Sequence, residues 1–318
     1  MLSRLRASRL LRVLLAVIAL AFCGYGLATQ WDSTRAALAQ LSWWSVAGTF
    51  AALMAGLGCM LVAWRDILAG LGSPLPLRVA SRVLFVGQLA KYIPGSVWSF
   101  AAMAELGRDH KATARGIFAA TVLGLATSLA CALALAAATL PLVSGAAAAD
   151  YAWMMALAPV VLVCLHPRIV GFFLNLLFRI LRREPLPLPT VRTMARAAAW
   201  TMLGWLLYGV HLWLLLADVR DGGWGLYLVA AGAYGLAWST GILTVVIPAG
   251  IGVREGAMVL ALTPVLDPGR ALAIAIVSRV AFTLADVAWA GLGFVLGRAR
   301  RAAPESPADS ESPVPTAS

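Results

Sequence analysis

Lys91-Tyr92-Ile93-Pro94-Gly95 and Ile247-Pro248-Ala249-Gly250-Ile251-Gly252-Val253-Arg254-Glu255-Gly256 interrupt a chain that is otherwise strongly apolar. Each break sets Pro, Gly and charge inside a stretch that reads as membrane-embedded. Pro and Gly open the backbone, and hydrocarbon holds no water to satisfy the N–H and C=O groups they free. Such breaks are tolerated only where protein covers them or a water-filled cavity reaches them. Ionisable side chains at that depth mark binding sites or pathways. Two broken segments in corresponding positions point to a transporter-like site near the bilayer midplane.

The 318 residues are 61% hydrophobic and 12% charged, against about 25% charged in soluble domains. The mean hydropathy is +0.86. The fold class that follows is an all-α polytopic integral membrane protein, and no stretch outside the apolar segments is long enough for a folded soluble domain. A net charge of +11 would suggest nucleic acid in a soluble chain. Here the basic residues lie between apolar runs, where the positive-inside rule explains them and anionic lipid headgroups are their natural counterpart.

Apolar runs near the roughly 20-residue spanning length fall at 11–29, 43–64, 116–141, 150–166, 195–217 and 271–297, about six full transmembrane helices. Arg4, Arg6, Arg9 and Arg12 place the start of the chain in the cytoplasm. The first apolar run then resembles a signal peptide, but further spans follow, so an uncleaved first helix is the better reading. Loops alternate in charge. Segment 65–115 holds Arg65, Arg78, Arg82, Arg108, Lys111 and Arg115, and segment 167–194 holds Arg168, Arg179, Arg182, Arg183 and Arg192. The loop around Asp150 has no Lys or Arg, and Asp218–Gly223 is short. Both termini are therefore expected in the cytoplasm of a bacterial inner-membrane protein. Residues 1–297 form one transmembrane unit, and 298–318 read as a disordered cytoplasmic tail rich in Ala, Pro, Ser and acidic residues.

Two segments do not fit as simple spans. Residues 79–106 read as two half-length arms around the first break, a re-entrant hairpin from the cytoplasm. Residues 224–266 read as a longer arm, the second break and a short return arm. Basic C-terminal residues inside require this second hairpin to enter from the opposite face, the arrangement of an inverted repeat. The arm 224–247 is also long enough to cross by itself. Residues 168–183 are either a cytoplasmic extension of the preceding helix or an amphipathic helix in the interface. Trp43, Trp44, Trp64 and Trp224 read as interfacial anchors, and the small residues crowding Gly116–Ala120 and Ala231–Ala233 as helix-packing surfaces.

The charges that do not fit a surface are Lys91, Arg254, Glu255, Arg279 and Asp286. Arg279 and Asp286, seven positions apart, share a helix face at a separation of roughly 10 Å along the axis. Arg254 and Glu255 follow a Gly-rich turn at a helix N-terminus, where backbone N–H groups favour an anion such as phosphate. Two readings are compatible with this set. The charges either neutralise one another and pin the broken helices, or they line a polar cavity that handles a ligand. Glu105 is a weaker member of this set, because its place beside Arg108 also fits the cytoplasmic surface, and Asp66 reads as a surface pair with Arg65. His211, within a span, reads as a helix–helix hydrogen bonder. Cys23, Cys59, Cys131 and Cys164 lie singly in apolar segments, so neither disulfides nor metal sites are expected, and no cofactor is implied.

These motifs resemble the lysylphosphatidylglycerol synthase transmembrane-region family, seen also as UPF0104-type membrane proteins. Lys91, Pro94 and Gly95 fit its first motif, K-x-[IL]-P-G. Pro248, Gly250, Gly252 and Glu255 fit its second, P-x-G-[IL]-G-x-[RE]-E, and Arg279 fits the embedded Arg of the following helix. The resemblance implies lipid translocation, as in the flippase region of multiple-peptide-resistance proteins. Those proteins carry a cytosolic aminoacyltransferase domain after the membrane part. Here only a short tail follows Arg301, so this chain is not expected to charge a lipid itself.

The leading expectation is a non-enzymatic lipid flippase or scramblase, with Lys91, Arg254 and Arg279 on the phosphate and Glu255 and Asp286 as their counterions or as acceptors of a cationic headgroup. The expected partners are membrane lipids: an anionic or aminoacylated phospholipid, or a lipid-linked sugar. Nucleic acid is not expected, and a homodimer is compatible with the sequence. The alternatives are a membrane-bound lipid or glycosyl transferase, for which no H-E-x-x-H or nucleophile–His pair is present, and a non-transporting partner of an envelope-synthesis enzyme.

Overall fold

A computed structural model describes residues 31–89, 97–110, 112–143, 156–163, 165–180, 187–243 and 252–298. The expected first span 11–29, the terminal tail and both proline-containing turns, with Lys91, Pro94, Gly95, Pro248 and Gly250, lie outside them. The described residues fold into helices α1 (Trp31–Gln40), α2 (Trp43–Gly70), α3 (Leu77–Ser81) with a π-helical turn (Arg82–Val86), α4 (Val97–Arg108), α5 (Ala114–Val143), α6 (Leu157–Val163), α7 (Pro167–Ile180), α8 (Val191–Ala217), α9 (Trp224–Leu243), α10 (Val253–Leu262) and α11 (Pro268–Arg298). The chain is an all-α polytopic membrane protein. Five of these helices, α2, α5, α8, α9 and α11, are long and apolar enough to cross a bilayer.

Helices in lipid gain little from burying apolar surface against one another. Close packing of small residues and interhelical hydrogen bonds hold them instead. The central pair, α2 and α8, shows both. Gly48 meets Leu214, Gly56 meets Gly204 and Gly70 meets Thr193, so the two helices run antiparallel. At their crossing the approach is reciprocal. A Cβ on Gly56 would lie 3.2 Å from the Gly204 carbonyl oxygen, and one on Gly204 would lie 3.1 Å from that of Gly56. Thr49 donates to the His211 carbonyl at 3.0 Å. Where α2 begins and α8 ends, the Asp218 carboxylate accepts from the Ser42 N–H at 2.7 Å and the Ser45 hydroxyl at 2.8 Å. A carboxylate at the first turn of α2 also favours the helix dipole.

The first broken segment forms two short arms. Helical backbone runs from Leu77 to Leu89, and α4 has 12 residues. At 1.5 Å per residue each arm reaches about 20 Å, short of the roughly 30 Å hydrocarbon core. The arms touch where Gly87 lies against Met103. The second segment is unequal, as its sequence length requires. Its first arm, α9, is 20 residues and span-length, while the return arm α10 has 10.

Each half of the chain thus reads span, broken hairpin, span: α2–(α3, α4)–α5 and α8–(α9, α10)–α11. The interval from Ile93-Pro94 to the start of α5 equals that from Ile247-Pro248 to the start of α11. Packing is exchanged between halves: α3 and its π-turn pack on α11, while α9 packs on α5. The α2–α8 crossing is likewise antiparallel and reciprocal.

Two expectations are corrected. Asp66 is not a surface partner of Arg65. It is 4% exposed and forms a two-pronged pair with Arg196 of α8, at 2.6 Å and 2.5 Å. Arg65 instead donates to the Leu75 carbonyl at 2.7 Å. Trp64 is not an interfacial anchor. It is buried between α2 and α5, its indole N–H 3.2 Å from the Thr121 hydroxyl. Trp43, Trp44 and Trp224 are exposed at helix starts, as anchors should be. Glu105 is an exposed partner of Arg108 at 3.1 Å. Helix α7 begins afresh at Pro167, after a turn at Leu165–His166, rather than extending α6. Phe172, Phe173, Leu176 and Ile180 are exposed on it. Arg168, Asn175 and Arg179 fall on one stripe about a quarter turn from the centre of these apolar residues, an amphipathic pattern compatible with an interfacial helix.

Candidate functional site

The site is built where the return arm of the second hairpin meets the last helix. Gly252 precedes α10 with φ +84°, a left-handed conformation that a side chain disfavours and Gly adopts freely. This turns the chain so that α10 starts at Val253, with Arg254 and Glu255 in its first turn. The Glu255 carboxylate reaches back to accept the Gly252 N–H at 2.7 Å. The helix N-terminus that the sequence offers to an external anion is therefore partly occupied by the chain's own carboxylate. The second oxygen of Glu255 faces the Arg279 guanidinium at 3.7 Å, both side chains largely enclosed.

Arg254 enters the protein. Gly241, in the last turn of α9, leaves room for its stem: a Cβ there would lie 3.2 Å from the Arg254 Cβ. The guanidinium donates to the Tyr234 hydroxyl. It also sits over two rings, 4.9 Å from the centre of Tyr234 and 5.3 Å from that of Phe282. Aromatic faces stabilise a desolvated cation by about 2 kcal/mol where water is excluded. Tyr234 lies ten residues past Trp224, roughly 15 Å along α9 and thus about halfway along this span-length helix. Arg254 is 7% exposed.

Arg279, Phe282 and Asp286 line one face of α11 at helical spacing. Asp286 is 4% exposed. Asp286 lies about two turns along this face from Arg279. Tyr208 of α8 completes the wall, 5.7 Å from Tyr234 and 5.6 Å from Phe282 between ring centres. Gly56 makes the space for it, since a Cβ there would lie 2.5 Å from the Tyr208 ring.

His211 is buried beside this cluster. Its Nδ1 lies against the Tyr208 carbonyl, an acceptor only, so Nδ1 carries the proton. Nε2 then accepts from the Ser278 hydroxyl at 2.9 Å, linking α8 to α11. This is a helix–helix hydrogen bond, as its place within a span suggests.

Four of the sequence-derived site charges, Arg254, Glu255, Arg279 and Asp286, are thus gathered by α10 and α11, with Gly252 setting the turn. Tyr234, Tyr208 and Phe282 were missed by the sequence reading. The signal for Tyr234 is a lone phenol in the Gly- and Ala-rich run Ala230–Ala237. Phe282 shows only as the residue between Arg279 and Asp286 on their shared face.

No curated protein matches this chain. Residues 9–290 match the family model described as the lysylphosphatidylglycerol synthase TM region. With two broken hairpins packed between spans and the charged motif of the second placed against an embedded arginine, the chain belongs to the lysylphosphatidylglycerol synthase TM region family.

Proposed function

We propose that this protein translocates lipid across the bacterial cytoplasmic membrane as a flippase or scramblase, with both termini in the cytoplasm. The observation that supports this best is the enclosed cluster of Arg254, Glu255, Arg279 and Asp286 at the junction of a broken hairpin and the last span. Holding four ionisable groups at membrane depth is costly. A purely structural pin would need one pair. The cluster supplies two cations for a phosphate and two carboxylates, of which Glu255 faces Arg279 when no headgroup is present, with Lys91 the further cation of the first break. A headgroup that takes the arginines frees Glu255 and Asp286 to receive a positive group, so a phospholipid, an aminoacylated phospholipid or a lipid-linked sugar phosphate meets complementary charge. The acyl chains remain in the bilayer. The two hairpins, set in opposite senses about the α2–α8 crossing, give the headgroup an opening to each leaflet.

Proteoliposomes containing headgroup-labelled phospholipids test this, with reductant added outside. Protein-dependent bleaching of inner-leaflet lipid, lost in Glu255→Gln and Arg279→Ala, is the expected outcome. Absence of movement with zwitterionic, anionic and aminoacylated phospholipids and with a lipid-linked sugar would reject the reading. Movement that persists in both variants would make the charges structural.

A further inference from the structure

Arg82 opens the π-helical turn of the first hairpin, and its side-chain Nε has no hydrogen-bond partner among the described residues. Its Nε is enclosed and unmatched. Its backbone is pressed against α11: a Cβ on Gly293 would lie 3.1 Å from the Arg82 Cα and nitrogen and from the Ser81 carbonyl oxygen. One turn deeper, Phe85 stacks on Trp289 at 4.8 Å, closing the crease between hairpin and helix. The Trp289 indole N–H donates to the Met54 carbonyl at 2.9 Å, which fixes that floor. Arg82, half-buried, thus sits at the edge of a closed helix contact. Gly293 is five residues from Arg298 at the end of α11, so this rim lies about 7 Å within the cytoplasmic end of the helix. With the cytoplasmic C-terminus of the proposed function, on which this rests, the rim lies toward the cytoplasmic face of the bilayer.

A guanidinium with an enclosed, unmatched N–H is destabilising unless an acceptor reaches it. Its planar fork suits a phosphate oxygen pair. π-Turns, which insert a residue into a helix and re-aim the side chains, occur often at functional positions. We infer that Arg82 binds the phosphodiester of a lipid in the cytoplasmic leaflet, in the crease between the first hairpin and α11. This goes beyond translocation, because a phosphate held here requires no transport and involves none of the charges of the buried cluster.

The full chain in nanodiscs provides the test. Native mass spectrometry counts phosphatidylglycerol retained against phosphatidylcholine. Arg82→Gln should lower phosphatidylglycerol retention about tenfold, the loss expected of one charge-assisted hydrogen bond. Inorganic phosphate should not compete. Unchanged retention overturns the inference, and so does competition by inorganic phosphate, which would make this a site for free anion. A second measurement uses the native side chain and does not depend on the variant folding. Fluorescence assigned to Trp289 by difference from Trp289→Phe should be quenched by brominated phosphatidylglycerol at a lower mole fraction than by brominated phosphatidylcholine. Equal quenching by the two lipids also overturns it.

Discussion

The carboxylate of Glu255 accepts the Gly252 N–H with one oxygen and faces Arg279 with the other, so the two contacts can be separated by substitution. Glu255→Gln keeps an acceptor for the N–H and removes the charge. Glu255→Ala removes both. Thermal unfolding in detergent should show the Ala variant less stable than the Gln variant by about 1 kcal/mol, the scale of one lost N-terminal cap. Equal stabilities would mean that the cap contributes nothing. The Asp66–Arg196 pair tests a different asymmetry. Asp66 is buried while the Arg196 side chain is 62% exposed. Removing Arg196 strands a carboxylate, whereas Asp66→Asn leaves a neutral amide beside a wetted cation. Arg196→Ala should therefore destabilise more than Asp66→Asn, as read from thermal melts of the two variants. Equal losses would contradict this. Asp66 was misread from sequence because adjacency to Arg65 says nothing about helix direction. Successive residues point 100° apart, so Asp66 turns inward to α8 while Arg65 reaches the Leu75 carbonyl. The embedded charges were legible because hydrocarbon makes any ion conspicuous. The rings that enclose Arg254 were not, because an aromatic in an apolar helix looks like every other apolar residue.

At the scale of elements, the contact between α9 and α5 depends on missing side chains. Gly235 lies against the Ala132 backbone, where an added Cβ would be 2.8 Å from the carbonyl oxygen. Backbone cannot rotate away as a side chain can. Gly235→Ala should therefore lower stability by about 1–3 kcal/mol, the range for overpacking. Gly225, on the same helix, has nothing within 4 Å of an added Cβ. Gly225→Ala should leave the melting temperature unchanged or raise it slightly through helix propensity, by no more than about 1 kcal/mol. Thermal melts of the two variants side by side check both, and the reverse order would refute the assigned packing face. The small-residue run was readable as a packing surface from sequence, and its partner helix was not. Arm lengths behaved similarly. The half-length arms of the first hairpin follow from counting residues, but an apolar run like 224–247 satisfies both a hairpin arm and a span, and only packing decides.

For the whole molecule, the alternation of basic loops sets a sidedness that can be measured directly. After Cys23, Cys59, Cys131 and Cys164 are replaced, a cysteine at Asp221 should be labelled by an impermeant maleimide added outside intact cells. One at Arg108 should be labelled only after permeabilisation. The opposite pattern would invert the topology and with it the assignment of each hairpin to a face. The repeat was legible in outline from the two breaks. The exchange of hairpins between halves was not, because contacts between distant segments leave no periodicity in the chain. That exchange places α11 against both hairpins. Its midsection carries Arg279 beside α10, and roughly 21 Å along its axis Gly293 abuts Arg82. A stiff helix shared by two sites gives them a physical route for thermodynamic linkage. If a headgroup at the cluster displaces α11, it changes affinity in the Arg82 crease, and occupancy of the crease must alter affinity at the cluster by the same factor. Lipid in one leaflet would then regulate the handling of lipid from the other, with the last helix as the physical carrier of that coupling.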